Sequence, residues 1–170
     1  KNNRINKFDI VCNNIALSDK KGKFSFYNTG SNTFTTENTN HGSLNKEWRK
    51  DNQYSIQVNV DRLDNLIVYH DINQVDLIKI DVETLEFEVL KGYGDFYKKH
   101  KPVVLLEVQD LDLGVKINEL FTGLDCMFFH VIESEGITKV SVLGLHSSSR
   151  NRNYIICPKD KVHLINEFII

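Results

Sequence analysis

The stretch that decides the fold is VDLIKIDVETLEFEVLKGYGDFYKKHKPVVLLEV, residues 75–108. Its first part, residues 75–83, is rich in aliphatic and β-branched residues, which is typical of a buried strand. From Thr84 to Tyr97 the apolar residues recur every three or four positions, so we predict a helix with Thr84 as its N-cap. A proline ends this helix, and residues 103–108 are again short and apolar. The pattern predicts a strand–helix–strand unit with two parallel strands.

The remainder of the chain continues the alternation of helices and strands. We predict a helix at 115–124, two strands at 126–133 and 138–143, a last strand at 154–157 and a closing helix at 159–169. The short separation between the first two of these strands predicts an antiparallel hairpin. We therefore expect an α/β fold with a mixed, mostly parallel sheet and a C-terminal antiparallel hairpin.

Residues 28–53 have a different composition, because most of them are Asn, Thr, Ser or Gly. Segments this long without regular structure are uncommon inside compact domains and are usually lids, binding loops or disordered linkers. Two interpretations stay open for this segment, a substrate lid and a flexible insertion.

The length and the net charge of the chain limit the classes of function that it can have. The 170 residues and 19.7 kDa suit a single domain with its own core. Twenty-one basic and 23 acidic residues give a net charge of −2, which disfavours nucleic acid as a partner. The apolar runs fall far short of the ~20 residues that a membrane span needs, so we expect no membrane partner.

Three cysteines, Cys12, Cys126 and Cys157, are an odd number and lack a CxxC spacing. Disulfide frameworks favour even numbers, and zinc sites favour paired cysteines. We predict that all three are small, buried apolar residues in a cytoplasmic protein.

Several carboxylates follow the two strands of the central unit. Asp81 and Glu83 lie at the end of the first strand, and Glu107 lies at the end of the second, followed by Gln109 and Asp110. Ligands of open α/β sheets bind at this edge, and collected carboxylates suit a cation, a positively charged cofactor group or proton transfer. The alternative is that these residues cap the helices that follow, and spacing alone leaves both interpretations open.

Five segments occur in order along the chain: NIALSD at 14–19, VDRLD at 60–64, DLIKIDVE at 76–83 with Glu86, Val89, Leu90 and Gly92 in register, PVVLLE at 102–107, and RNYIICP at 152–158. Together and in this order they resemble one family, the FkbM methyltransferases. The resemblance implies a Rossmann-like class I methyltransferase fold. It also implies S-adenosylmethionine as the cofactor and a hydroxyl oxygen of a small molecule or glycan as the methyl acceptor.

The resemblance also implies roles for individual residues. Ala16, Leu17 and Ser18 follow the family's third strand, so they are candidates for binding the adenine side of the cofactor. Asp81 and Glu83 are expected beside the methyl-bearing sulfonium as candidate catalytic residues. Glu107 is a third candidate.

Two differences from the family pattern shape what we expect. The family motif usually places Gly directly after its second acidic residue, where this chain has Thr84. The family's first strands and its glycine-containing cofactor loop are expected to precede residue 1, so residues 1–170 would form part of a larger methyltransferase domain.

Two other functions stay open. A truncated α/β domain without catalytic activity would act through self-association as a homodimer or through binding of a partner, because a missing neighbour exposes a strand edge. A metal-dependent enzyme would use Asp81, Glu83 and Glu107 to bind a hard cation.

Overall fold

The structure is a computed structural model that describes residues 10–28, 42–50, 54–144 and 151–170. The strands of the described part are β1 (Ala16–Leu17), β2 (Gly22–Asn28), β3 (Tyr54–Asp61), β4 (Leu77–Ile80), β5 (Val103–Glu107), β6 (Cys126–Ile132), β7 (Gly136–Val140) and β8 (Asn153–Pro158). The α-helices of the same residues are α1 (Leu63–Tyr69), α2 (Glu86–Tyr93), α3 (Phe96–His100) and α4 (Leu111–Leu120). Short 3₁₀ helices span Lys46–Trp48, Lys159–Leu164 and Asn166–Phe168.

A five-stranded mixed sheet with the order β4-β5-β8-β6-β7 forms the centre of the fold. β4 and β5 pair in parallel, as the strand–helix–strand pattern predicts. β6 and β7 form the predicted antiparallel hairpin. β8 lies between β5 and β6 and is antiparallel to both. Three of the four pairings in this sheet are therefore antiparallel, namely β5–β8, β8–β6 and β6–β7. The expectation of a mostly parallel sheet is wrong.

A second, three-stranded sheet has the order β1-β3-β2. β1 pairs in parallel with the end of β3, and β2 is antiparallel to β3 along its whole length. Helix α2 joins this sheet to the rest of the fold. Lys91 on α2 forms an ion pair of 2.8 Å with Asp19, which follows β1.

The helices differ from the sequence prediction in three places. The predicted helix at 84–97 begins at Glu86 and is broken at Gly94, whose φ of 57° belongs to the left-handed region. Thr84 is therefore not its N-cap. Helix α4 begins earlier than predicted, and Asp110 caps it by accepting a hydrogen bond of 2.8 Å from the backbone N–H of Leu113. The predicted closing helix at 159–169 consists of two 3₁₀ turns instead.

The main core lies between one face of the five-stranded sheet and the helices. Its fully or almost fully buried residues include Ile67, Val89, Leu90, Tyr93, Val104, Leu106, Ile117, Tyr154 and Ile156. A smaller cluster lies on the opposite face, where the C-terminal 3₁₀ turns contribute Val162 and Ile165. The two clusters of buried residues therefore cover both faces of the sheet, as in other α/β proteins.

The predicted burial of the three cysteines is confirmed only in part. Cys157 is buried and Cys126 is half-buried, whereas Cys12 is exposed, so its predicted burial is wrong. All three are free thiols. Within the described ranges, no helix is long and apolar enough to cross a membrane.

Gly92 allows α2 to approach the backbone that follows β1. A Cβ atom at this position would lie 2.2 Å from the carbonyl oxygen of Ser18, closer than non-bonded atoms approach. The glycine is therefore a packing requirement, and it explains why this residue belongs to the motif around α2.

We predict that Gly92→Ala lowers the free energy of unfolding by about 1–3 kcal/mol, because the new methyl group overpacks the contact with Ser18. The intrinsic helix propensity of alanine acts in the opposite direction by about 1 kcal/mol. Urea unfolding measures the effect. Lys91→Ala is the control, since it leaves the backbone contact intact and removes the ion pair with Asp19 and the cation over the Phe87 ring, each worth about 0–1 kcal/mol. A midpoint for Gly92→Ala that is not below that of Lys91→Ala would contradict this explanation.

Candidate active site at the ends of strands β4 and β5

The turn between β4 and α2 has an unusual backbone conformation. Glu83 and Thr84 have φ angles of 56° and 80°, so two successive residues with side chains occupy the left-handed region. Thr84 is β-branched, for which this conformation is strained. The family pattern has glycine at this position, and the observed φ angle gives the physical reason.

Glu86 holds this turn from inside the protein. Its side chain is fully buried, and Oε1 accepts a hydrogen bond of 3.1 Å from the backbone N–H of Val82. Its second oxygen, Oε2, has no hydrogen-bond partner among the described residues. Burial, together with the neighbouring charges of Glu107 and Asp81, raises the pKa of the Glu86 carboxyl to about 7. Near neutral pH this group is therefore poised between its protonated and ionised forms.

Gln109 connects Glu83, in the turn after β4, with Glu107, which ends β5. Its Nε2 donates to Glu83 Oε2 at 2.7 Å and to Glu107 Oε2 at 3.2 Å. Its Oε1 accepts from the indole Nε1 of Trp48 at 3.3 Å. A neutral amide therefore holds two carboxylates side by side, which reduces their mutual repulsion.

The described end of the polar segment, residues 42–50, contacts the same turn. Ser43 Oγ donates to the backbone oxygen of Glu83 at 2.8 Å, and Asn45 Nδ2 donates to Thr84 Oγ1 at 2.9 Å. The lid role predicted for 28–53 stays a prediction, and residues 29–41 and 51–53 lie outside the described residues.

A cleft of about 430 Å³ opens beside these groups. It lies between the polar segment, the start of α2 and the start of α4. Its lining residues are Asn45, Glu47, Trp48, Thr84, Phe87, Glu88, Gln109, Asp110, Asp112, Leu113, Lys116 and Arg152. The volume falls within the ~300–1,000 Å³ that is usual for small-molecule sites.

The structure brings together only some of the predicted catalytic residues. Glu83 and Glu107 meet through Gln109. Asp81 follows β4 directly, but its side chain is 55% exposed and forms an ion pair of 3.0 Å with Lys79. The capping interpretation applies to Asp110, whose side chain caps α4.

The predicted cofactor residues lie at the other end of α2. Ala16 and Leu17 form β1, and the backbone of Ser18 contacts Gly92 in the last turn of α2. The six residue steps from Glu86 to Gly92 correspond to about 9 Å along the helix axis. Ala16, Leu17 and Ser18 are therefore separated from Glu83 by the length of this helix.

Sequence reasoning missed four residues of the site: Asn45, Trp48, Gln109 as a bridge, and the buried Glu86. The sequence position of Glu86 gave the clearest indication of a buried role. It lies among apolar positions at the start of a helix, and a glutamate is almost never fully buried unless it is paired. Asn45 and Trp48 reach the site through contacts of long sequence separation, which spacing does not reveal.

The metal-dependent alternative is not supported by the geometry. In the part of the chain that the structure describes, no three His, Cys, Asp or Glu side chains converge as a metal site. Gln109 lies between the carboxylates of Glu83 and Glu107 instead.

The fold is a mixed α/β fold, and its cleft lies next to the turn after β4 and the residues that follow β5, at the edge where open α/β sheets bind their ligands. The family model of the methyltransferase FkbM domain matches residues 1–135. The chain belongs to the FkbM methyltransferase family, as its sequence motifs indicated, and this membership indicates methyl transfer as its general chemistry. No curated protein and no solved structure matches the chain.

We predict that Glu86 makes the stability of the protein fall as the pH rises. The pKa of Glu86 is about 7 in the folded state and about 4.3 in an unfolded chain, so the folded state binds more protons between these values. Stability is therefore lost between about pH 4.3 and pH 7, by about 4 kcal/mol at most. Glu86→Gln should remove this loss and be more stable than the wild type at pH 8.

Urea unfolding at several pH values measures the difference. Glu88→Gln is the control, because it removes the same charge from a partly exposed position of the same helix. Parallel stability curves for the wild type and Glu86→Gln would show that Glu86 does not carry the raised pKa.

Proposed function

We propose that this chain is part of an S-adenosylmethionine-dependent O-methyltransferase that acts on a hydroxyl group of a small molecule or glycan. The observation that supports it best is the pair of carboxylates, Glu83 and Glu107, held by Gln109, which itself lines the cleft. Family membership supplies the general chemistry. A Rossmann-like arrangement with further N-terminal strands and a cytoplasmic location belong to the same proposal.

The residues present fit the charge of this cofactor. S-adenosylmethionine, when bound, supplies a methyl group on a positively charged sulfur. Glu83 and Glu107 place negative charge at the strand ends, and the partly ionised Glu86 lies behind them. Opposite charges attract strongly where water is excluded. Ala16, Leu17 and Ser18 remain the proposed residues for the adenine side.

Glu83 is the proposed general base for the acceptor hydroxyl. Gln109 binds its Oε2, and no hydrogen bond to Oε1 is present within the described ranges. The oriented carboxylate therefore has an oxygen available for the hydroxyl proton, provided that the hydroxyl lies within hydrogen-bond distance. Trp48 and Asn45 close one side of the cleft, where they exclude water and restrict the orientation of the acceptor.

We predict that Glu83→Gln weakens the binding of S-adenosylmethionine by roughly tenfold, which corresponds to about 1.4 kcal/mol. S-adenosylhomocysteine has the same shape but a neutral sulfur, so its affinity should change by less than about twofold. Isothermal titration of both compounds to the native full-length protein measures the two affinities. Asp95→Asn is the control, because its side chain is 94% exposed and lies beyond the C-terminal end of α2.

Two outcomes would count against the proposal. If neither S-adenosylmethionine nor S-adenosylhomocysteine binds to the full-length protein, the proposed cofactor is excluded. An equal loss of both affinities in Glu83→Gln would show that Glu83 does not sense the charge of the sulfur.

A second candidate function is self-association as a homodimer, and one observation favours it. β4 lies at the outside of the five-stranded sheet, and no strand of the described residues pairs with its outer edge. Leu77 at this edge is 64% exposed and lines an apolar groove with Ile72 and Val75. Free strand edges of this kind pair readily with another chain.

We predict that Leu77→Lys converts the homodimer of the 170-residue chain into a monomer, because a lysine at a strand edge opposes pairing with a second copy. Light scattering after size exclusion measures the mass. Val68→Lys on α1 is the control, since Val68 is equally exposed but does not line this groove. A wild-type chain that is monomeric at high concentration would exclude self-association through β4.

A further inference from the structure

The cleft beside Glu83 has a polar lining. Among its described lining residues, Phe87 and Leu113 are the wholly apolar side chains, and Trp48 adds an indole with one polar N–H. The other lining side chains are carboxylates, amides, a hydroxyl and two cations. A large apolar acceptor would desolvate these groups without giving them hydrogen bonds, which is costly. The lining therefore favours an acceptor that carries several hydrogen-bonding groups of its own.

The charge of the lining favours an acceptor without negative charge. Four lining residues are acidic, and two are basic, Lys116 and Arg152. The acidic residues are Glu47, Glu88, Asp110 and Asp112. An excess of carboxylates repels phosphate, sulfate and carboxylate groups on a ligand. Carboxylates accept hydrogen bonds from neutral hydroxyl groups, so they suit an acceptor rich in hydroxyls.

Trp48 supplies a fixed aromatic surface in this cleft. Its Nε1 donates to Gln109 Oε1 at 3.3 Å, which anchors the indole to the residue that bridges the two carboxylates. The guanidinium carbon of Arg49 lies 4.4 Å from the centre of the indole, over one face. A ligand ring can therefore stack only on the opposite face. Stacking on an aromatic ring suits a flat, weakly polar surface such as the C–H face of a sugar ring.

These three features occur together in one place. We propose that the cleft binds the methyl acceptor as a neutral pyranose ring of a glycan, which stacks on Trp48 and donates its hydroxyls to the lining carboxylates and amides. This assignment rests on the proposed function, and it selects the glycan over an apolar small molecule. The bridge from Trp48 through Gln109 to Glu83 couples the stacked ring to the proposed base, because all three side chains are joined by hydrogen bonds.

Ligand-observed saturation-transfer NMR tests the proposal on the full-length protein in the presence of S-adenosylhomocysteine. The probes are methyl α-D-glucopyranoside, methyl α-D-mannopyranoside, cyclohexanol and glucuronic acid. We expect saturable binding of at least one methyl pyranoside. Cyclohexanol, which has the ring but one hydroxyl, and glucuronic acid, which has the ring but a negative charge, should bind at least about tenfold more weakly.

Variants of Trp48 locate the binding. Trp48→Ala should weaken pyranoside binding about tenfold, whereas Trp48→Phe retains an aromatic surface and should weaken it less than about threefold. Tyr69→Ala is the control, because Tyr69 is 80% exposed and does not line this cleft. Trp48 is the single tryptophan of these 170 residues, so the difference in emission between the full-length wild type and Trp48→Phe reports on the cleft. The emission change caused by the pyranoside should be absent in Trp48→Phe.

The outcomes separate this inference from the proposed function. If S-adenosylhomocysteine binds but no pyranoside does, or if cyclohexanol binds better, the glycan assignment is overturned and the methyltransferase proposal stands. If the pyranoside binds and S-adenosylhomocysteine does not, the cleft is a sugar site and the proposed function fails. Equal pyranoside affinities for the wild type and a folded Trp48→Ala variant would overturn the role of Trp48.

Discussion

The hydrogen bond from the Val82 N–H to the buried carboxyl of Glu86 is the interaction on which the site depends. It fixes a turn in which Glu83 and Thr84 both have left-handed backbones, a conformation that costs about 1–3 kcal/mol for each residue. The turn directs the Glu83 carboxylate to Gln109 and its backbone oxygen to Ser43. The base, the bridging amide and the polar segment therefore share one support inside the protein.

That support has its own energetic cost. Glu86 is fully buried with one oxygen unpartnered in the described part of the chain, and burial together with the charges of Glu107 and Asp81 raises its pKa. An apolar side chain would pack here without this desolvation penalty. Local conflicts of this kind collect at functional sites, because the geometry they maintain is needed for binding or chemistry. The raised pKa of Glu86 thus agrees with a functional role for the turn.

The sequence predicted the parts of the fold that depend on local pattern. The unit β4–α2–β5, the hairpin of β6 and β7, and the carboxylates at the strand ends all follow from periodicity and spacing. The insertion of β8 beside β5 was not predictable, since strand order depends on pairing between residues far apart in the chain. The break at Gly94 was missed because the apolar stripe continues across it. The docking of Asn45 and Trp48 depends on tertiary contacts in the same way.

Thr84 shows how the strained turn and the cleft are linked. Glycine would adopt a φ of 80° without steric cost, yet it has no side chain to accept a hydrogen bond. Threonine adds strain and also adds the hydroxyl that accepts from Asn45 at 2.9 Å. A hydrogen bond of this kind contributes about 0.5–1.5 kcal/mol, which offsets part of the strain. Thr84 therefore destabilises the turn and stabilises the docking of the segment that carries Asn45 and Trp48. The position at which this chain differs from its family pattern thus also helps to place the aromatic surface of the cleft.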